Sequence, residues 1–430
     1  MTDLSQHIQQ LPLMDTHEHL YKEADYLEKG PDVLRDLFEN YVPADLIVAG
    51  AAPEAVQKLL DSNDPDIEGR LAGVSEAWQH CQHTGYGQAV RLIAKKVYGM
   101  DEITPAAVAA AADRNRQLRQ PGERLRILKE EGNLDHVQID DFVWACLPDQ
   151  SGLDFFLYDL SWWHFCNGEI KAEDLHKETG VNVVDLKSLR EGMEALFTKY
   201  GACAIAVKAQ HAYNRTLLWQ ERSDATAERV LYKQLNGDEL SEVERLCLGD
   251  WCWARGVELS IQHNLPFKIH TGYYAGHSNM PVERIKPGHL CGLLKQYPQA
   301  RFVLMHIAYP YNDELTAIAK HYPNVYIDLC WAWSINPYAA ADFVRRLIHA
   351  VPINKLFAFG GDTGWPNASV AYATQARQWL TRALQGEVDD GDMTEAQAIA
   401  VATRLMRGNQ QDLFDLDGTR AAIHAASQAK

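Results

Sequence analysis

The sequence predicts an α/β chain folded as a (β/α)8 barrel with a large helical insertion after the first strand. Three observations predict it. Eight short apolar segments have strand character, helical periodicity fills several of the intervals between them, and one long interval, 21–130, is helical throughout. Near-continuous apolar strands separated by helices are the pattern of a parallel sheet covered on both faces, and eight such units favour closure over an open sheet.

The first strand is read in PLMDTHEHL (12–20). Residues 21–130 then carry the helical stretches VLRDLFENYV, PEAVQKLL, VSEAWQHC, GQAVRLIAKKVYG and PAAVAAAADRNRQL. They are read as a cap over one end of the barrel, which itself takes 1–20 and 131–430. The remaining strands are read in HVQIDDFVW (136–144), DFFLYDLSW (154–162), ACAIAVKAQ (202–210), PFKIHTGYY (266–274), RFVLMHIAY (301–309), VYIDLCWAW (325–333) and KLFAFGGDT (355–363). Helices are expected over 189–200, 238–264 and 339–351, with a closing helix at 369–384 and a further one after the acidic turn EVDDGD. The last dozen residues are alanine-rich and are expected to fray.

Composition narrows the function. The chain has 430 residues, 47% apolar and 23% charged, with 28 Gly and 17 Pro, which excludes disordered and collagen-like classes. The net charge of −17 disfavours nucleic acid and anionic membranes as partners. No stretch approaches the roughly 18 apolar residues of a membrane span, and the start MTDLSQHIQQLPLMD has no signal-peptide pattern. The eight cysteines (Cys81, Cys146, Cys166, Cys203, Cys247, Cys252, Cys291, Cys330) contain no C-x-x-C pair and read as reduced, mostly buried thiols. The expectation is therefore a cytoplasmic protein acting on a small molecule, with homo-oligomerisation left open.

Catalytic residues of such barrels sit at the C-terminal ends of the strands. There the sequence places His17 and His19 on the first strand, Lys208 on the fourth, His270 on the fifth, His306 on the sixth and Asp362 on the eighth. His17 and His19 are two apart, so on an extended strand both point to the same side. Two imidazoles and a carboxylate at one point suit a borderline metal such as Zn2+. An H-x-H pair alone is common by chance; ionisable groups at the tips of five buried strands are costly without an ion or network to compensate them.

The set H-x-H, Lys, His, His, Asp resembles the amidohydrolase superfamily, and within it the branch holding the amidohydrolase-2 proteins and uronate isomerases. D-T-H-E-H-L followed by a helical stretch is similar to the opening of uronate isomerases. VKAQHAYNR (207–215) looks like the lysine-bearing fourth-strand segment of a subgroup fused in some relatives to glutamine-synthetase-like domains. KIHTGYY, FVLMHIAYP, FAFGGDT and RGNQQDLF match the amidohydrolase-2 pattern. The resemblance implies His17, His19 and Asp362 as metal ligands, with His270 a further ligand or a substrate-side group. It implies Asp362 as proton acceptor from metal-activated water, and His306 as a second ligand or polarising group. One Zn2+ or other divalent ion per chain is expected, and two if Lys208 is carboxylated; unmodified, Lys208 is a cationic substrate contact or an electrophile.

The resulting expectation is a metal-dependent hydrolase acting on a small polar, carboxylate-bearing substrate held by Arg215 and Tyr213. The alternatives are a uronate-type isomerase or a decarboxylase at the same site, and a non-catalytic scaffold barrel. The bland readings stand beside these: Arg215 in an ion pair with a neighbour such as Glu221, Lys268 in a stabilising pair, and Asp140 and Asp141 in buried networks. Trp162, Trp163, Trp331 and Trp333 read as core or pocket wall, and His277 as a solvated loop histidine rather than a metal ligand.

Overall fold

A computed structural model describes residues 2–276 and 280–429. His277 lies outside the described residues. The strands are β1 (Leu13–Glu18), β2 (Leu134–Ile139), β3 (Phe156–Ser161), β4 (Ala204–Ala209), β5 (Phe267–Ile269), β6 (Phe302–Leu304), β7 (Val325–Asp328) and β8 (Leu356–Phe357). They form one eight-stranded sheet in chain order, a nearly closed parallel barrel. The β3–β4, β4–β5, β5–β6 and β6–β7 pairs are parallel, with Ser161 opposite Lys208 and Lys208 opposite Lys268. Closure comes from β1 bonding to the chain at and beyond β8: the Thr16 amide donates to the Phe359 carbonyl (3.1 Å) and the Asp362 amide to the His17 carbonyl (2.9 Å).

Several strands end earlier than their apolar runs suggest, and backbone conformation gives the reason for β6. His306, Ile307 and Ala308 have φ of 62°, 48° and 48°. Left-handed residues cannot continue a ladder, so β6 stops at Leu304 and turns. The closing helix is longer than its periodicity indicates, running Pro366–Asp389 into the acidic turn. The C-terminal segment, expected to fray, is a helix over Leu416–Gln428, with the Asp415 side chain accepting from the Gly418 amide. Among the described residues no helix is long and apolar enough to cross a membrane.

The chain packs as two compact units. The first comprises Met1–Val137, Leu329–His349 and Phe357–Gly408; the second comprises Gln138–Asp328, Ala350–Leu356 and Asn409–Lys430. In the first unit, the interval between β1 and β2 is a run of helices from Glu23–Lys29 to Glu123–Arg126. Polar caps start several of them: Asp32 accepts from the Arg35 amide, and Thr84 from the Gly87 amide. Buried Arg70 donates to both Asp32 oxygens (2.5 and 3.1 Å) and to the Leu59 carbonyl, tying three of these helices together. In the second unit, the long helix Glu242–Gln262 begins in a reciprocal Ser241–Glu244 capping box. Its inner face buries Leu248, Trp251, Cys252, Trp253 and Val257.

Candidate metal centre

In the first unit, β1 ends in His17 and Glu18, with His19 next, and the chain beyond β8 brings Asp362 alongside. His17 Nε2 and His19 Nε2 lie 3.3 and 3.2 Å from the same Asp362 oxygen, Oδ1. The two rings meet edge to face with centroids 4.6 Å apart. His17 and Asp362 are buried, while His19 keeps 20% of its side chain exposed. Two donors bound at about 2.0–2.1 Å in a tetrahedral shell sit roughly 3.3 Å apart. The three donor atoms therefore have the chemistry and spacing to hold a divalent cation. Burial works against ionisation of Asp362, but the His17 and His19 hydrogen bonds and charges outweigh it and hold the carboxyl well below the usual range.

Asp362 has φ 59°, a conformation that costs a non-glycine residue energy and persists only where its surroundings enforce it. The enforcement is visible. Its amide donates to His17, its carbonyl accepts from the Tyr41 hydroxyl (2.6 Å), and the next residue, Thr363, donates through its amide (2.6 Å) and hydroxyl (2.9 Å) to Glu18 Oε2. Ser369 donates to the other Glu18 oxygen at 2.5 Å. Gly361 is required by close approach, because a Cβ there would lie 2.0 Å from Glu18 Oε1. Glu18 and neighbouring Asp15 are fully buried, and burial pushes both carboxyls up, Glu18 to about 7. The insertion reaches this centre through Tyr41, whose ring packs 4.6 Å from that of Trp331, and through Tyr21, stacked on Trp365 at 4.6 Å.

The second unit gathers the other predicted residues. Lys208 is fully buried on β4, its Nζ 3.4 Å from Gln210 Oε1. His270 meets the Tyr213 hydroxyl through Nδ1 (3.2 Å) and the Gly272 carbonyl through Nε2 (2.7 Å), with the His306 ring 4.3 Å away. Gly272 permits that approach, since a Cβ would fall 2.2 Å from His306 Cβ. His211 is completely buried; burial first, then the Arg215 and Lys208 charges, push its pKa well below the ordinary value.

Arg215 is placed differently from its expected role. Its Nη2 donates to Asp250 Oδ1 (2.6 Å) and the Leu218 carbonyl, its Nη1 to Cys166 O, and its Nε to Thr216 O. The carboxylate it clamps is thus buried Asp250, shared with Arg222, and not a ligand's; nor is the ion-pair partner Glu221. Lys268 likewise donates to both oxygens of Asp159 at 2.8 Å, with both side chains fully buried.

Residues 218–404 match the amidohydrolase family model. That segment has the pattern of the amidohydrolase family. Over 181 residues the chain is 30% identical to Protein fluG of Emericella nidulans. That stretch is 41% of the chain and 21% of the relative, so the match spans about a fifth of the longer protein. Among solved structures, the fold is similar to a uronate isomerase from Thermotoga maritima (14% identity, 96% of each chain, TM-score 0.76). A glucuronate isomerase from Caulobacter crescentus is also similar (16% identity, 96% of this chain and 93% of that one, TM-score 0.77). So is a putative metal-dependent hydrolase from Lactobacillus casei (17% identity, 97% and 99% covered, TM-score 0.64).

Sequence reasoning passed over Glu18, Tyr41, Thr363 and Ser369, the residues that hold Asp362 in place. Only Glu18 carried a signal, a carboxylate on the opposite strand face from the two histidines it separates.

Proposed function

We propose that the protein is a metal-dependent hydrolase of small polar, carboxylate-bearing substrates. The observation that carries the reading is the convergence of His17 Nε2 and His19 Nε2 on one Asp362 oxygen. A divalent cation bound by these three residues, zinc by the chemistry of the donors, supplies Lewis acidity and lowers the pKa of water near neutrality. Asp362, held ionised, has a second carboxylate oxygen with which to accept a proton from attacking water. On the insertion side, Tyr41 bonds the Asp362 carbonyl and packs its ring on Trp331.

Uronate-type isomerisation is the second reading. The fold similarity to two uronate isomerases extends over 96% of the chain. Elemental analysis of purified protein, followed by assays of carboxylate-bearing amides, lactones and esters beside uronate-to-ketose conversion, separates the readings. Hydrolysis lost together with metal in His17→Ala supports the first. Ketose formation without hydrolysis replaces it by the second, and full metal retention in the His17→Ala, His19→Ala double variant removes the ligand assignment from both.

A further inference from the structure

Tyr21 lies in the first unit, two residues beyond His19, where no local pattern singles it out. Past the end of β1 the chain is still bonded to the stretch past β8: the His19 amide donates to the Thr363 carbonyl (3.0 Å) and the Tyr21 amide to the Gly364 carbonyl (3.4 Å). Alternate amides facing one neighbour go with alternate side chains leaving on one side, so Tyr21 follows His17 and His19 along the same face. Its ring lies over the backbone just beyond Asp362, because a Cβ on Gly364 would sit 3.5 Å from Tyr21 Cε2. One face of that ring is taken. It stacks on Trp365, with centroids 4.6 Å apart and planes inclined by 25°. Trp365 is a fixed backing: it is buried, donates its indole N–H to Glu39, and has the Arg35 guanidinium 5.8 Å from its ring centre.

The rest of the ring is open, for Tyr21 is 49% exposed. Within the triad, His17 and Asp362 are buried and His19 alone keeps 20% of its side chain exposed. A ligand therefore reaches an ion held there from the His19 side, and the next side chain along that face is Tyr21. An aromatic ring already stacked on one face is held in place to stack on the other, at little cost in side-chain freedom. We propose that Tyr21 is a specificity-determining residue of the metal site, its open ring receiving a flat aromatic group that the substrate carries beside its reacting carbonyl. The inference rests on the metal centre and the hydrolase reading above, and it narrows the substrate class to aromatic acyl compounds. A ring docked there gains its own transfer from water and the ring–ring contact together. Both need the Tyr21 ring and neither needs its hydroxyl.

Acetohydroxamate and benzohydroxamate are the probes, because both chelate zinc through the same two oxygens and differ only in methyl against phenyl. They need the metal but no turnover, which keeps this test separate from the hydrolysis and isomerisation assays. The zinc-loaded full chain, its Tyr21→Phe, Tyr21→Ala and Tyr21→Ser variants, and Tyr338→Ala as a control at another exposed tyrosine are titrated with each by calorimetry. Bound zinc is counted and folding is checked by circular dichroism. Wild type, Tyr338→Ala and Tyr21→Phe should bind benzohydroxamate about fivefold or more tighter than acetohydroxamate. Tyr21→Ala and Tyr21→Ser should bind the two within about twofold of each other, with zinc content and acetohydroxamate affinity kept. A zinc-loaded wild type that binds the two alike, or binds neither, overturns the proposal. So does a preference that survives in folded Tyr21→Ala or Tyr21→Ser, and each of these results leaves the metal-centre reading intact. Failure of the wild type to hold zinc overturns both.

Discussion

The Tyr41 hydroxyl donates a 2.6 Å hydrogen bond to the backbone carbonyl of Asp362, joining the helical insertion to the strained residue on which both histidines converge. Tyr41 is itself left-handed, at φ 56°, just before the helix Val42–Val48, so two costly conformations brace one another. Tyr41→Phe keeps the ring against Trp331 and removes only the bond. It should lower stability by about 1 kcal/mol and weaken metal affinity, measured by denaturant titration and chelator competition. Unchanged affinity would show that Asp362 keeps its geometry without the insertion.

Glu18 acts on the same loop from the opposite side, through Thr363 and Ser369. Glu18→Gln retains one acceptor oxygen and turns the other into a donor facing donors. Metal affinity should fall about 10- to 100-fold while His17 and His19 remain in place. A zinc titration against a competing chelator measures this; a variant that loses thermal stability but binds zinc normally would reduce Glu18 to a packing role.

The difference between what the sequence disclosed and what it hid follows from the range of the interactions. That His17, His19 and Asp362 meet was legible because charged or polar residues closing apolar runs are expensive unless they share a partner. The eight strands were legible from apolar runs of the right length. Tyr41 was not, because its contact with Asp362 spans 321 residues and nothing local marks a tyrosine between helices. Arg215 was misread for the same reason. Its partner Asp250 is 35 residues away on the next long helix, whereas the sequence offered only the nearby Glu221. Propensity also understated the C-terminal helix, whose Asp415 cap is legible only once the helix start is known.

The Arg215–Asp250 pair makes a prediction opposite to that of a substrate clamp. Arg215→Ala leaves Asp250 buried with only Arg222 and strips donors from three carbonyls. It should destabilise the protein by about 3–5 kcal/mol. Whatever activity survives should fall equally on charged and uncharged substrate analogues. A KM that rises only for the charged analogue, with stability unchanged, would return Arg215 to substrate binding.

Asp36 gives the insertion a pH dependence. Its side chain is buried in the helix Val33–Phe38, where Oδ2 accepts from the Tyr98 hydroxyl (2.5 Å) and from Asn367 Nδ2 (2.8 Å), on the helix that follows β8. Oδ1 has no hydrogen-bond partner among the described residues. Burial pushes the carboxyl up to about 6 from 3.8, against the opposing effect of those two hydrogen bonds. Because the folded state holds a proton that the unfolded chain loses first, this contribution is fully present below about pH 4. It is lost as pH rises through about 6, beyond which a buried, half-satisfied carboxylate costs about 2–3 kcal/mol. Asp36→Asn keeps an acceptor for Tyr98 and Asn367 and places an uncharged amide where Oδ1 stands. Its melting temperature should match wild type near pH 4 and exceed it by about a few degrees near pH 7. Subtracting wild type at each pH removes the opposite trend of the depressed Asp362, which contributes stability lost only as pH falls. A difference that is flat from pH 4 to 7 would mean that Asp36 titrates alike in the folded and unfolded chain.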